Sequence, residues 1–192
     1  MNIAIGGDML GTADNCTPIP RDKFLSEDSI NFYCLDDETP YIYLKSKINE
    51  YIFTDQAFIV IVRDNAGGVK QNITRCHWQL NNLSNISFET PGAGMTDFAC
   101  ELKFGLGNAN YSIDIIKSEI ATARIYYSVL LKLSREMRIT KQKLDRAESF
   151  AKSSLIQDNK NIGQSAIDAS NLIHDTYNTF SYKHVFEAAL SR

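Results

Sequence analysis

Three histidines and four cysteines are the side chains best suited to hold a metal or to start a nucleophilic reaction, and their spacing supports neither. Cys76 and His77 are neighbours in a strand-like segment, where successive side chains point to opposite faces, so the two cannot share a metal ion. His174 follows Ile173 in a helical pattern, and His184 lies near the end of the sequence. Cys16, Cys34, Cys76 and Cys100 show no C-x-x-C spacing of the kind that zinc sites use. Their even number allows disulfides, but a chain of 192 residues can build a core without them. Cys100 alternates with Phe98 and Leu102, as a buried thiol does. The sequence contains no G-x-S-x-G, H-E-x-x-H or G-x-x-x-x-G-K-[ST]. Gly105-Leu106-Gly107 leads into a strand rather than a helix, so it cannot place a phosphate at a helix N-terminus. No catalytic residue, metal or cofactor is therefore expected.

Composition narrows the class of partner. A hydrophobic fraction of 44% and a charged fraction of 22% are ordinary for a globular protein. A formal net charge of −3 exerts no strong pull on nucleic acid. The charge is uneven: residues 1–117 carry 9 basic and 15 acidic side chains, residues 118–192 carry 11 and 8. The basic excess is concentrated between Arg124 and Lys152, and reads first as the solvated face of a helix. No apolar run approaches the ~20 residues needed to cross a bilayer. The first residues lack the basic region of a secretory signal, so a cytoplasmic protein with reduced thiols is expected.

The elements follow from periodicity. In the stretch from Ile86 to Leu106, Ile86 and Phe88, then Phe98, Cys100, Leu102 and Phe104, fall on every second position, the period of a half-buried strand. Pro91, Gly92 and Gly94 between them suit a turn. Before this pair, strands are predicted from Tyr41, over Tyr51–Thr54 after a turn at Asn49-Glu50, over Phe58–Arg63, and over Val69–Trp78. The β-branched run of Phe58–Arg63 reads as deeply buried, and a hairpin turn is predicted at Asp64–Gly68. Tyr111, Ile113 and Ile115 mark the last strand. Seven strands with short connections and no intervening helix must pair antiparallel, which predicts a sandwich or barrel. Residues 1–39 read as an irregular, partly helical arm, with a short helical turn at Ile3–Leu10 and a short helix over Arg21–Leu35, opened by Pro20.

After Lys117 the period lengthens. Ile120, Ala123, Tyr127, Leu130 and Leu131 form one helix stripe. Thr140 is placed as the cap of a second helix bearing Leu144, Ala147, Ala151 and Leu155, and Gln157–Asn161 as a polar loop. A third helix carries Ile162, Ala166, Ala169, Ile173, Thr176 and Phe180 at alternating steps of four and three, the spacing of helices packed side by side. Ile167, Leu172 and Tyr177 add a second apolar flank, more than one hairpin partner can cover. These eight apolar residues, Thr176 aside, are the candidate interface of a homo-oligomer, and a separate protein partner is a further expectation. Ser181 is placed as the cap of a final short helix. The expected fold is α+β: a seven-stranded antiparallel barrel capped by a helix over 40–137, then a helical hairpin and short helix over 138–192.

Two segments sharpen this. Tyr51–Gly68 and Ser84–Leu106 resemble the conserved blocks of the bacterial pleckstrin-homology family. That family typically shows a Phe-Thr pair before a hydrophobic strand, here Phe53-Thr54. A Glu-Thr-x-Gly turn follows, here Glu89-Thr90 with Gly92, leading to an Asp-x-x-x-Glu-Leu strand, here Asp97 with Glu101-Leu102. The resemblance covers roughly residues 40–135. It departs in the connection Gln79–Leu83 and in a longer turn at Pro91–Met95. The tail resembles a YvbH-like oligomerisation region, from its helix order and Phe186-Glu187. The resemblance implies a pleckstrin-homology-like barrel and no defined enzymatic activity.

It also raises phosphoinositide binding, which such domains support with basic residues around the first hairpin. Lys45 and Lys47 flank that turn here, with Glu50 and Asp55 close by and Arg63 at the far end of a strand. Phosphate recognition favours converging donors, arginine above all, so Lys45 and Lys47 make a weak anion site. Membrane contact through the basic face from Arg124 to Lys152 is the weaker alternative to self-assembly.

Overall fold

The structure, a computed structural model, describes residues 14–63, 70–90, 92, 99–157, 168, 171, 173 and 181–191. Strands β1 (Thr17–Pro18), β2 (Pro40–Lys45), β3 (Asn49–Thr54), β4 (Ala57–Arg63) and β5 (Gln71–His77) form one antiparallel sheet in sequence order. Strands β6 (Leu83–Glu89), β7 (Ala99–Leu106) and β8 (Ala109–Ile116) form a second. The seven expected strands are thus β2 to β8. The expected turns at Asp64–Gly68 and Pro91–Met95 fall largely outside the described residues.

Alternation decides what faces the interior. Tyr51, Phe53, Phe58 and Val60 point inward to meet Leu102, Phe104 and Ile113 of the opposite sheet. Phe58 lies at the centre, its ring 4.6 Å from Phe53, 5.2 Å from Phe104 and 5.0 Å from Tyr111. A register shift between Pro40 and Ile42 turns both Tyr41 and Ile42 toward this core. The intervening residues Tyr43, Ile52, Ile59 and Ile61 are buried as well, under Phe24 and Ile30. The central strands are therefore covered on both faces, which is why Phe58–Arg63 reads as a continuous apolar run.

That cover comes from the segment expected as an irregular arm. A 3-10 turn at Arg21–Ser26 and helix α1 (Asp28–Tyr33) lie over the outer face of the first sheet, in place of one helix over Arg21–Leu35. Further upstream, the arm enters the barrel itself. The Cys16 N–H donates to Asp114 O at 2.7 Å and the Ile116 N–H to Cys16 O at 3.1 Å, while Thr17 and Pro18 pair with β2. Residues 16–18 thus join the two sheets, and the boundary at 39/40 cuts off a strand of the barrel. These residues carry no alternation by which to recognise them. The turn expected at Ile3–Leu10 lies outside the described residues.

Two further boundaries differ from expectation. Asn49 and Glu50 belong to β3 and not to a turn. The Ser46 side chain accepts the Ile48 and Asn49 N–H groups at 3.3 and 2.8 Å, closing the turn earlier. Helix α2 (Ile120–Gln157) is continuous through Thr140, so the break placed after Met137 is absent. No glycine or proline interrupts this stretch, and the buried stripe of Ala123, Leu130, Leu133 and Met137 continues across the break through half-buried Leu144 to buried Ala147. Of the polar loop expected at Gln157–Asn161, Gln157 is helical and the rest lies outside the described residues.

Helix α3 (Lys183–Leu190) packs on α2 and on the barrel. Its N-cap is Tyr182, one residue past the Ser181 expected there, and the Ser181 oxygen accepts the Lys183 N–H at 3.2 Å from the position before the cap. Its fully buried Phe186 ring stacks on Tyr41 at 4.9 Å. A boundary that assigns the whole region beyond 137 to a separate unit therefore removes a piece of the barrel core.

Candidate functional site

Among the described residues, the charged side chains that converge do so in two buried clusters. The first cluster surrounds Glu50, whose side chain is fully buried on β3. Arg63 on the adjacent strand pairs with it, and the Tyr43 hydroxyl donates to it at 2.6 Å. Lys45 sits between Glu27 at 2.6 Å and Glu50 at 3.9 Å. Lys47 is exposed in the neighbouring turn. The structure thus places Lys45 and Arg63 against carboxylates and leaves Lys47 without a second cation converging on it among the described residues. The first hairpin does not assemble the donor set that an anion needs.

Burial alone would raise the Glu50 pKa, but hydrogen bonds from Ser29, Tyr43 and Arg63 outweigh it and hold the carboxyl below its ordinary value of 4.5. The folded state therefore binds fewer protons at Glu50 than the unfolded state does. The resulting stability is complete above the ordinary carboxylate pKa and is lost as pH falls through the lowered one. Glu101, held low by Lys103 and Ser112 against its own burial, acts in the same direction. Asp114, raised by burial and by Glu101, acts in the opposite one. Urea titrations of the wild type are expected to weaken steadily between pH 6 and pH 3. Glu50→Gln is expected to cost about 1–3 kcal/mol at pH 7 and to flatten that profile. An unchanged profile would mean that Glu50 is not a source of it.

The second cluster gathers at the turn between β3 and β4. Thr54 is fully buried; its oxygen accepts the Gln56 and Ala57 N–H groups at 3.1 and 2.8 Å, and its hydroxyl donates to Glu38. Glu38 also takes Arg75 Nη2 at 2.8 Å and the Leu35 N–H at 3.0 Å. Next in sequence, Asp55 accepts the Thr39 N–H at 2.8 Å and the Ser181 hydroxyl, and its own carbonyl accepts the Tyr182 N–H at 2.8 Å. The buried Trp78 indole N–H donates to Thr54 O at 2.9 Å. One tight turn thus fastens the N-terminal segment, the end of β5 and the start of α3. Cys34 lies beside this cluster, where burial, and then the charge of Glu38, pushes its thiol up to about 12. That value makes it inert as a nucleophile at neutral pH.

The remaining chemistry-bearing residues stay apart. Arg75 Nε donates to His77 Nε2 at 3.3 Å, and His184 lies 4.0 Å from Glu136. His174 is outside the described residues. The four cysteines are unpaired, and burial raises the Cys16 thiol to about 12. Among the described residues, no three side chains are grouped to hold a metal ion, and no helix is long and apolar enough to cross a membrane. A cleft of about 240 Å³ opens between Trp78–Asn82, the Met137–Asp145 part of α2, and Tyr182. Of the candidate interface, only Ile173 is described, as a half-buried helical residue. Ile162, Ala166, Ile167, Ala169, Leu172, Tyr177 and Phe180 lie outside the described residues.

Two antiparallel sheets packed around an aromatic core, with a long helix against one of them, make the pleckstrin-homology-like class of barrel. The Phe53-Thr54 pair has its physical explanation in that class here: Phe53 enters the core and Thr54 organises the turn. The chain belongs to the bacterial PH domain family, whose model matches residues 9–134. It is 30% identical over 131 residues to uncharacterized protein YvbH of Bacillus subtilis (strain 168), covering 68% of this chain and 63% of that protein. A PH domain-containing protein from Exiguobacterium sibiricum 255-15 has a similar solved structure, with a TM-score of 0.74 and 25% identity. That match covers 92% of this chain and 100% of the other. The start of the family match at residue 9 agrees with the entry of residues 16–18 into the barrel.

Sequence reasoning missed the Thr54–Asp55 junction as a junction. Its partners are Glu38, Arg75 and Ser181, far apart in sequence and individually unremarkable. The Phe-Thr pair was the available signal, but it marks a position without naming its partners.

Proposed function

We propose that this protein is a non-enzymatic interaction module of the cell interior that self-assembles, with the helical region beyond residue 157 contributing the contact. The observation that carries the reading is how the polar groups are used. The ions that converge in the barrel, Glu38 with Arg75 and Glu50 with Arg63, are spent holding its own segments together. Large apolar side chains remain outside, among them Leu25, Phe32 and Leu80, each more than 75% exposed. Such surface supports docking better than catalysis. The doubled apolar flank of residues 162–180 supports assembly in particular.

Light scattering on the full chain at about 50 μM, below the ~mM range where weak encounters dominate, is the test. A mass above one chain is expected, and Leu172→Lys is expected to lower it while the thermal transition stays cooperative. A monomeric wild type, or an unchanged mass in the variant, would sink assembly through the tail.

A further inference from the structure

We propose that a second copy of this chain docks its N-terminal helical segment on the outer face of α2, giving a head-to-tail contact distinct from the tail. The outer face of α2 carries Arg124, Leu131, Arg135, Arg138, Gln142 and Arg146, at steps of 7, 4, 3, 4 and 4 residues. These positions fall on one side of a helix. They lie opposite the buried stripe of Leu130, Leu133 and Met137. All four arginines are exposed, and among the described residues none makes an ion pair. Leu131 at 44% and Ile125 at 42% exposure add apolar surface beside them. From Arg124 to Arg138 the strip runs about 21 Å along the helix.

The complementary surface is on the same chain. The N-terminal segment exposes Asp28, Asp36 and Asp37 together with Leu25, Phe32 and Leu35. Its two cations are outnumbered: Arg21 lies over the Tyr41 ring at 4.9 Å and Lys23 is exposed, against Asp22, Glu27, Asp28, Asp36 and Asp37, while Lys45 of the sheet below is paired with Glu27. The patch is therefore acidic and apolar where the strip is basic and apolar. Matched signs of this kind steer association and fix its register.

The two surfaces belong to different sides of the barrel. The N-terminal segment covers the outer face of the β2–β4 sheet, whereas α2 lies against β6 and α3. A patch and its complement separated in this way join successive molecules, and the result is a ring if the rotation closes and a filament if it does not. An anionic lipid surface would use the arginines alone and leave Phe32 and Leu25 unexplained. A second copy accounts for both surfaces.

The inference adds an interface to the self-assembly proposed above, and the experiment separates the two. Sedimentation velocity on the full chain would compare the wild type with Arg135→Glu/Arg138→Glu, Asp28→Lys/Asp36→Lys and Leu172→Lys. All four charged positions are exposed, so both double variants should keep the wild-type circular dichroism. Each double variant alone is expected to weaken assembly at least tenfold. An equimolar mixture of the two should recover it, because reversed strip then meets reversed patch and native strip meets native patch. Wild-type assembly should also weaken between low and high salt.

Retention of the wild-type mass by both double variants would overturn the proposal, and if Leu172→Lys alone dissociated, the tail reading would stand without it. Loss of assembly in the double variants with no loss in Leu172→Lys would do the reverse. Failure of the folded variants to recover on mixing would overturn the pairing. So would a monomeric wild type whose arginine strip binds vesicles of phosphatidylglycerol.

Discussion

Replacing Phe186 by alanine is expected to lower the melting temperature by roughly 10 °C, the largest effect of any single side chain in α3. The ring is fully buried between Tyr41 and α2, and its neighbours Tyr182, Val185 and Ala189 fix the helix around it. Truncating a buried phenylalanine costs about 3–5 kcal/mol, part of it for the cavity left behind. For a chain of this size each kcal/mol corresponds to about 2–4 °C. Calorimetry is the direct check. A shift within about 2 °C, inside the effect of an ordinary surface change, would mean that α3 is peripheral to the barrel. Removing residues 181–192 should cost still more, since Asp55 then loses the Ser181 hydroxyl and its carbonyl loses the Tyr182 N–H.

The second large effect is expected at Arg75. Arg75→Met leaves the Glu38 carboxylate, fully buried, without its counter-ion. Breaking a buried pair from one side costs about 3–5 kcal/mol. Arg75 is itself 21% exposed, and Thr54 and the Leu35 N–H still serve Glu38, so about 2–3 kcal/mol is the expected loss here. Adding Glu38→Leu should return part of it, because the uncompensated charge is then gone. Urea denaturation of the two single variants and the double variant measures this coupling. A loss below about 0.5 kcal/mol on Arg75→Met, the range of ordinary surface changes, would show that the pair is solvated in practice.

The sequence made the strands legible because their alternation is local: Phe98 to Phe104, or Tyr111 to Ile115, announces a face without reference to anything distant. It made α2 and α3 legible as helices for the same reason, but not the unbroken length of α2. What escaped it depends on partners. Residues 16–18 are a strand only because the edges of β2 and β8 accept them, and Thr17-Pro18 has no strand signature of its own. Thr140 looks like a cap from its side chain alone, yet the buried stripe runs from Met137 on to Leu144 and Ala147 and carries the helix past it. Lys45 looked available until the fold set Glu27 beside it. The acidic and basic surfaces were visible only as an imbalance between halves of the chain. Their arrangement as a compact patch and a straight strip required the helices to be placed.

The Thr54–Asp55 turn has a bearing on when this protein can fold. Its partners arrive from residue 38 on one side and residue 181 on the other, and Tyr41 waits for Phe186. Such long separations make loop closure slow, because the ordering cost falls before the contacts that offset it. During synthesis the strands emerge first and can pair, but the pocket beside Tyr41 stays open until Phe186 has left the ribosome. Completion of the core thus trails the pairing of the strands. In that interval the unfilled site beside Tyr41 and the bare side of α2 are the surfaces that a chaperone, or another nascent copy, would meet first.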